Sequence, residues 1–130
     1  MHAGRPDHRI DLDSVALAHF MPMHLLMDGE GRALSYGPTL ARVLGGDAMP
    51  GARFEELFDV RAPGGAVTVG DVLARAGNRF RLVPRNGVKA GLRGLGRRLP
   101  GGRILLNLSF GIDLISAVRD LALTDADFAA

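Results

Sequence analysis

The sequence predicts an α+β domain built on one five-stranded antiparallel sheet flanked by short helices. The chain has 130 residues, a length that fits one domain. Its apolar residues form two groups of strand-like runs joined by turns, and short helical patterns separate the two groups. The 18 glycines and seven prolines indicate many turns and argue against a simple helical bundle.

The chain begins with a polar stretch and a short helix. Residues 1–11 carry Pro6 and predict a flexible lead-in to a domain over residues 12–128. Asp13 or Ser14 can cap a helix that runs to Phe20. This N-terminal cap helix is almost continuously apolar, so we expect it to pack on another surface.

A hairpin and a helical stretch follow. The apolar run 23–27 stops at Asp28-Gly29, a strong hairpin signal, and residues 32–36 return as the second strand. Turn and cap residues then mark three short helices, over residues 39–44, 53–58 and 69–76.

The remainder of the chain predicts three strands and a helix. Residues 79–83 alternate polar and apolar, which is typical of a half-buried strand. Residues 88–99 form a long strand whose glycines predict bulges or strong curvature. Residues 103–110 are the most hydrophobic strand and belong near the centre of the sheet. A helix from residue 113 to about residue 121 completes the order.

Charge is unevenly distributed along the chain. The formal net charge is +2, but residues 72–112 carry nine basic side chains and no acidic one. This segment is either a solvated strand face or a contact for nucleic acid, anionic lipid or an acidic protein. Only Phe80 and Phe110 lie near it, too few for a platform that stacks on single strands, so nucleic acid is not favoured.

Chemistry-bearing residues are scarce. Without cysteine the chain has no disulfide, no thiolate metal site and no flavin linked to a cysteine. Its histidines all lie in the first 24 residues, and His24, inside an apolar strand, is expected to be a hydrogen-bonded core or interface residue rather than a ligand. We find no catalytic arrangement, so we expect no enzyme activity, no metal and no cofactor.

Several stretches, in order, resemble one family of PAS domains. They are residues 20–28 followed by Gly31-Arg32, then residues 37–44, 50–54, 99–103 and the ending 113–128. Together they resemble the haem–NO-binding-associated (H-NOX-associated, or HNOBA) PAS domain. That family occurs in soluble guanylate cyclases and in bacterial histidine kinases and diguanylate cyclases that are partnered with H-NOX sensors. Residues 61–77 and the glycine-rich strand depart from the pattern.

The resemblance implies a non-catalytic module that dimerises and relays a signal from an H-NOX sensor of NO or O2 to a kinase or cyclase. In PAS domains the cap helix commonly packs on the partner subunit, and the C-terminal helix leads to the output domain. Haem-binding PAS domains usually take a histidine from the helix before the last three strands, and residues 68–76 have none. The candidate dimer-interface residues are Val15, Leu17, Phe20 and Met23.

An alternative function is a small-molecule-sensing PAS domain with an apolar pocket between the sheet and the short helices. Candidate lining residues are Leu25, Tyr36, Leu40, Val72, Phe80 and Leu106. The N-terminus lacks the apolar stretch of a signal peptide, and no run is long enough to span a bilayer, so we expect a cytoplasmic chain.

Overall fold

A computed structural model describes residues 11–76 and 79–111 and shows an α+β arrangement of short helices on a six-stranded antiparallel sheet. The helices are α1 (Ser14–Phe20), α2 (Pro38–Leu44), α3 (Phe54–Leu57) and α4 (Val69–Ala76), with a 3₁₀ turn over Gly45–Asp47. The strands are β1 (His24–Met27), β2 (Ala33–Tyr36), β3 (Phe58–Ala62), β4 (Arg79–Pro84), β5 (Leu92–Arg98) and β6 (Ile104–Phe110).

The strands lie in the order β2-β1-β6-β5-β4-β3. The hydrophobic strand β6 is therefore internal, between β1 and β5, as its composition predicts. It pairs with β1 from His24–Asn107 to Met27–Ile104, and with β5 over seven consecutive residues. The first hairpin therefore pairs with the last strand of the described chain.

The two faces of the sheet differ in chemistry. Side chains that alternate toward the helices form one core cluster, in which Leu25, Leu106 and Phe54 are fully buried. The opposite face, which we call the outer face, carries polar and charged side chains on β4 and β5, where every second residue is exposed. One face therefore forms the hydrophobic core, and the other exposes side chains of β4 and β5.

The prediction of five strands is wrong, because β3 adds a sixth at the edge of the sheet. Helix α3 is a single turn that ends at Leu57, and Phe58 is already extended, with φ −133° and ψ 146°. Phe58 and Val60 lie opposite Pro84 and Leu82 of β4. The apolar–polar alternation from Phe58 to Arg61 indicates this strand, but the helical spacing of Phe54, Leu57 and Phe58 predicts that Phe58 belongs to the preceding helix.

The glycine-rich strand also differs from its prediction. Strand β5 begins at Leu92, not at residue 88, and pairs with β6 without a register shift. The register shifts lie in the β1–β2 and β3–β4 pairs instead. Glycine is favoured at two positions of β5, because an added Cβ at Gly94 would lie 2.6 Å from Leu108 Cδ2, and one at Gly96 would lie 2.6 Å from Leu106 Cδ2.

The other predicted elements that lie within the described residues agree with the structure. Asp28 closes the first hairpin, because its Oδ1 accepts the backbone N–H groups of Glu30 and Arg32 at 2.9 and 3.0 Å. Residues 1–10 of the predicted lead-in and the predicted C-terminal helix lie outside the described residues. No helix in the described ranges combines the length and the apolar character needed to cross a membrane.

Candidate functional site

Helix α1 presents apolar side chains to solvent. The carboxylate of Asp13 caps it by accepting the N–H of Ala16 at 2.8 Å. None of its residues is buried, and Val15 and Phe20 are 76% and 59% exposed. Both large apolar side chains of this seven-residue helix that are exposed could therefore be reached by a partner.

A buried histidine attaches this helix to the sheet. His24 is fully buried at the start of β1, and its Nδ1 lies 2.9 Å from the Met21 carbonyl oxygen, just after α1. A carbonyl oxygen can only accept, so Nδ1 carries the proton, and Nε2 accepts from the Ser35 hydroxyl at 2.9 Å. The prediction of a hydrogen-bonded core histidine is confirmed. Burial lowers the pKa of the His24 imidazole, which keeps the ring neutral.

We expect this histidine to make the fold less stable in mild acid. Unfolded histidine titrates near 6.5, and burial places the folded pKa of His24 below that value, so the unfolded chain binds the proton first. The free energy of unfolding should therefore be lower at about pH 5.5 than at about pH 7.5. Urea unfolding of the parent and of His24→Gln at both values tests this. The decrease in unfolding free energy between the two pH values should be smaller in His24→Gln and unchanged in the control His19→Gln. An equal decrease in all three proteins would contradict the assignment of the pH dependence to His24.

The carbonyl of Pro22 joins the same connection to helix α2. It accepts the backbone N–H groups of Thr39 and Leu40 at 3.0 and 3.2 Å. Gly37, which precedes α2, donates its own N–H to the His24 carbonyl at 2.8 Å. The segment between α1 and β1 is therefore fixed by bonds to both β1 and α2.

The four predicted dimer-interface residues lie in different environments. Val15 and Phe20 are exposed, Leu17 is half-buried, and Met23 is only 5% exposed and belongs to the core cluster. The exposed pair can therefore contact a partner directly, whereas Met23 packs within its own chain. Whether α1 forms a dimer contact remains a prediction.

The six predicted pocket residues all belong to the core or pack against it. Five are buried, and Tyr36 is half-buried with its hydroxyl donating to the Met49 carbonyl at 2.7 Å. Burial raises the pKa of the Tyr36 phenol. Around Phe80 the space is already filled, because a Cβ on Gly94 would lie 2.7 Å from Phe80 Cζ. An interior ligand at these residues remains a prediction.

The outer face of the sheet carries a feature that the sequence indicated only as a basic segment. A groove of about 520 Å³ lies over strands β4, β5 and β6. Its polar lining comprises Arg79, Arg81, Arg93, Asn107 and Ser109. A smaller groove of about 230 Å³ adjoins it and shares Arg81. The two-residue spacing of Arg79 and Arg81 indicates that these two side chains share a face, whereas Arg93 joins them only through the β4–β5 register.

Comparison with known proteins gives no match: no family model fits the sequence, and no curated protein is significantly similar to it. Within the described residues, no group of three or more histidine, aspartate or glutamate side chains could hold a metal ion.

Proposed function

We propose that this chain is a non-catalytic, PAS-type signalling module of the H-NOX-associated kind. It forms a homodimer and relays the state of an H-NOX sensor of NO or O2 to a histidine kinase or a nucleotide cyclase. The module itself carries no catalytic group, and it works in the cytoplasm beside its output domain.

The order of elements supports this proposal. A helix, a hairpin, a run of short helices and then three antiparallel strands follow one another, as the resemblance to PAS domains implies. The added edge strand β3 extends that sheet by one strand. Strand β3 lies at the sheet edge away from the first hairpin, and the hairpin pairs with the last described strand through β1 and β6.

The observation that carries the proposal is the exposure of two large apolar side chains, Val15 and Phe20, on α1. Removing a large apolar side chain from water contributes about 1.5–3 kcal/mol, so burial of Val15 and Phe20 in a dimer would favour association. The neighbouring connection is rigidly bonded through Met21, Pro22 and His24. A partner that binds α1 would therefore act on an element coupled to the sheet.

The topology also supplies a route for the signal. Strand β1 starts just beyond α1 and is hydrogen-bonded to β6 along its whole length. Strand β6 in turn leads to residue 112 and onward, the segment expected to reach the output domain. Two packings of α1 against a partner would favour different positions of β1, β6 and the segment that follows. A relay requires only two such states with different partner contacts.

Self-association should depend on the exposed residues of α1. Phe20→Asp and Val15→Asp should each weaken the dimer by at least about ten-fold, because each loses apolar burial and places a charge in the contact. Met49→Asp is the control, since Met49 is 61% exposed and lies away from α1 in the chain. Sedimentation equilibrium of the three variants measures the dissociation constants. If all three, or none, dissociate, α1 is not the contact.

A further inference from the structure

The basic segment of the chain is concentrated around the groove on the outer face. Arg81 of β4 and Arg93 of β5 are directly opposite in the β4–β5 register. Like charges in that position repel, and the pair costs the sheet stability unless an anion lies between them. Arg79 lies two residues from Arg81, so its side chain leaves the same face. Three arginine side chains therefore line one groove.

The described residues supply no carboxylate to these three arginines. Asp59, on the neighbouring edge strand, lies 3.6 Å from Arg61 and 3.9 Å from Arg85, so its charge is directed toward those two residues. The groove carries three positive charges with no internal counter-ion among the residues described, which is an arrangement suited to an anion.

The other residues that line the groove indicate which chemical groups a ligand would carry besides its negative charge. Ser109 is opposite Arg93, and Asn107 is opposite Leu95, so a hydroxyl and an amide face the arginines across the groove. Leu95 lies between these polar groups and is 49% exposed. Phe80 also lines the groove but is 3% exposed, so it offers no open ring on which a base could stack.

We propose that this groove binds a small soluble phosphate monoester with an apolar or aromatic body. The phosphate lies between Arg81 and Arg93, where two guanidinium groups match a dianion with paired hydrogen bonds, and Arg79 adds a third charge. The apolar body covers Leu95. The volume of about 520 Å³ matches a small-molecule site, and the scarcity of exposed rings disfavours nucleic acid. Binding at such a site would allow a small molecule to regulate the module at a surface separate from the α1 contact.

Calorimetric titration of the full chain with phenyl phosphate tests the site, with inorganic phosphate as the reference. We expect phenyl phosphate to bind at least about ten-fold more tightly, because the ring covers Leu95. Arg81→Gln and Arg93→Gln should each weaken binding by at least about ten-fold, since each removes one bidentate partner. Leu95→Ser should weaken phenyl phosphate and leave inorganic phosphate unchanged. The control Arg103→Gln, an exposed arginine outside the groove, should change binding by less than about two-fold.

Thermal unfolding of the same variants gives an independent readout. Arg81→Gln and Arg93→Gln should unfold at the same or a higher temperature than the parent in phosphate-free buffer, because each removes the cross-strand repulsion. Absence of saturable phenyl phosphate binding would overturn the proposal. An equal loss of binding in Arg103→Gln would also overturn it, because that result indicates a diffuse basic surface. Tighter binding to an oligonucleotide, or to vesicles containing phosphatidic acid, would overturn it by indicating a nucleic-acid contact or a lipid contact.

Discussion

Replacing Gly37 with alanine is expected to destabilise the fold by about 3 kcal/mol, because there is no space for a methyl group against the backbone of the α1–β1 connection. An added Cβ would collide with the carbonyl group of Pro22 and lie 2.8 Å from the Met21 carbonyl oxygen. The Pro22 carbonyl holds the first turn of α2, so displacing it also breaks the bonds to Thr39 and Leu40. Both contacts are backbone atoms, which cannot move aside as a side chain can.

Urea unfolding of Gly37→Ala beside Gly46→Ala measures this effect. Gly46 has no heavy atom within 4 Å of an added Cβ, so alanine there should be neutral or slightly stabilising. A Gly37→Ala protein as stable as Gly46→Ala would show that the connection is loosely held, and would remove the basis for coupling α1 to the sheet.

Truncating Phe80 to alanine is expected to cost about 3–5 kcal/mol, the usual loss for a buried aromatic side chain. The Phe80 ring lies over β5 at the two positions, Gly94 and Gly96, where any side chain would meet it. The glycines and the ring are therefore one packing unit. Gly94→Ala alone should cost about 1–3 kcal/mol through overpacking.

A double-mutant cycle tests that unit directly. Combining Phe80→Ala with Gly94→Ala should cost less than the two single changes added together, because the new methyl group enters the space that the ring has left. Gly91→Ala is the matched control, since no heavy atom lies within 4 Å of its added Cβ. Strict additivity of Phe80→Ala and Gly94→Ala would contradict the packing described for β4 and β5.

Local sequence signals predicted most of the fold. The Asp13 cap, the Asp28-Gly29 hairpin and the apolar run of β6 each depend on a few neighbouring residues, and each appears where it was expected. These signals are strong because the residues next to one another in the sequence largely determine where a cap, a turn and a central strand form. His24 was interpretable for the same reason, since a histidine in an apolar strand needs hydrogen-bond partners.

The features that were missed depend on contacts between distant residues. Strand β3 is defined by its pairing with β4, and the alternation in residues 58–61 is too short to outweigh the preceding helical pattern. The glycines of β5 predicted bulges or strong curvature, because the sequence does not show that Phe80 covers Gly94 and Gly96. The arginine groove likewise requires the β4–β5 register, which places Arg81 opposite Arg93.

The solution mass of the unmodified chain, measured by sedimentation equilibrium from low to high micromolar concentration, tests the proposed dimeric relay most directly. The account predicts a reversible approach to twice the 13.8 kDa mass of one chain, in the absence of any added sensor or output domain. A mass of one chain at every concentration would contradict it, because a monomer offers no second subunit against which α1 could repack.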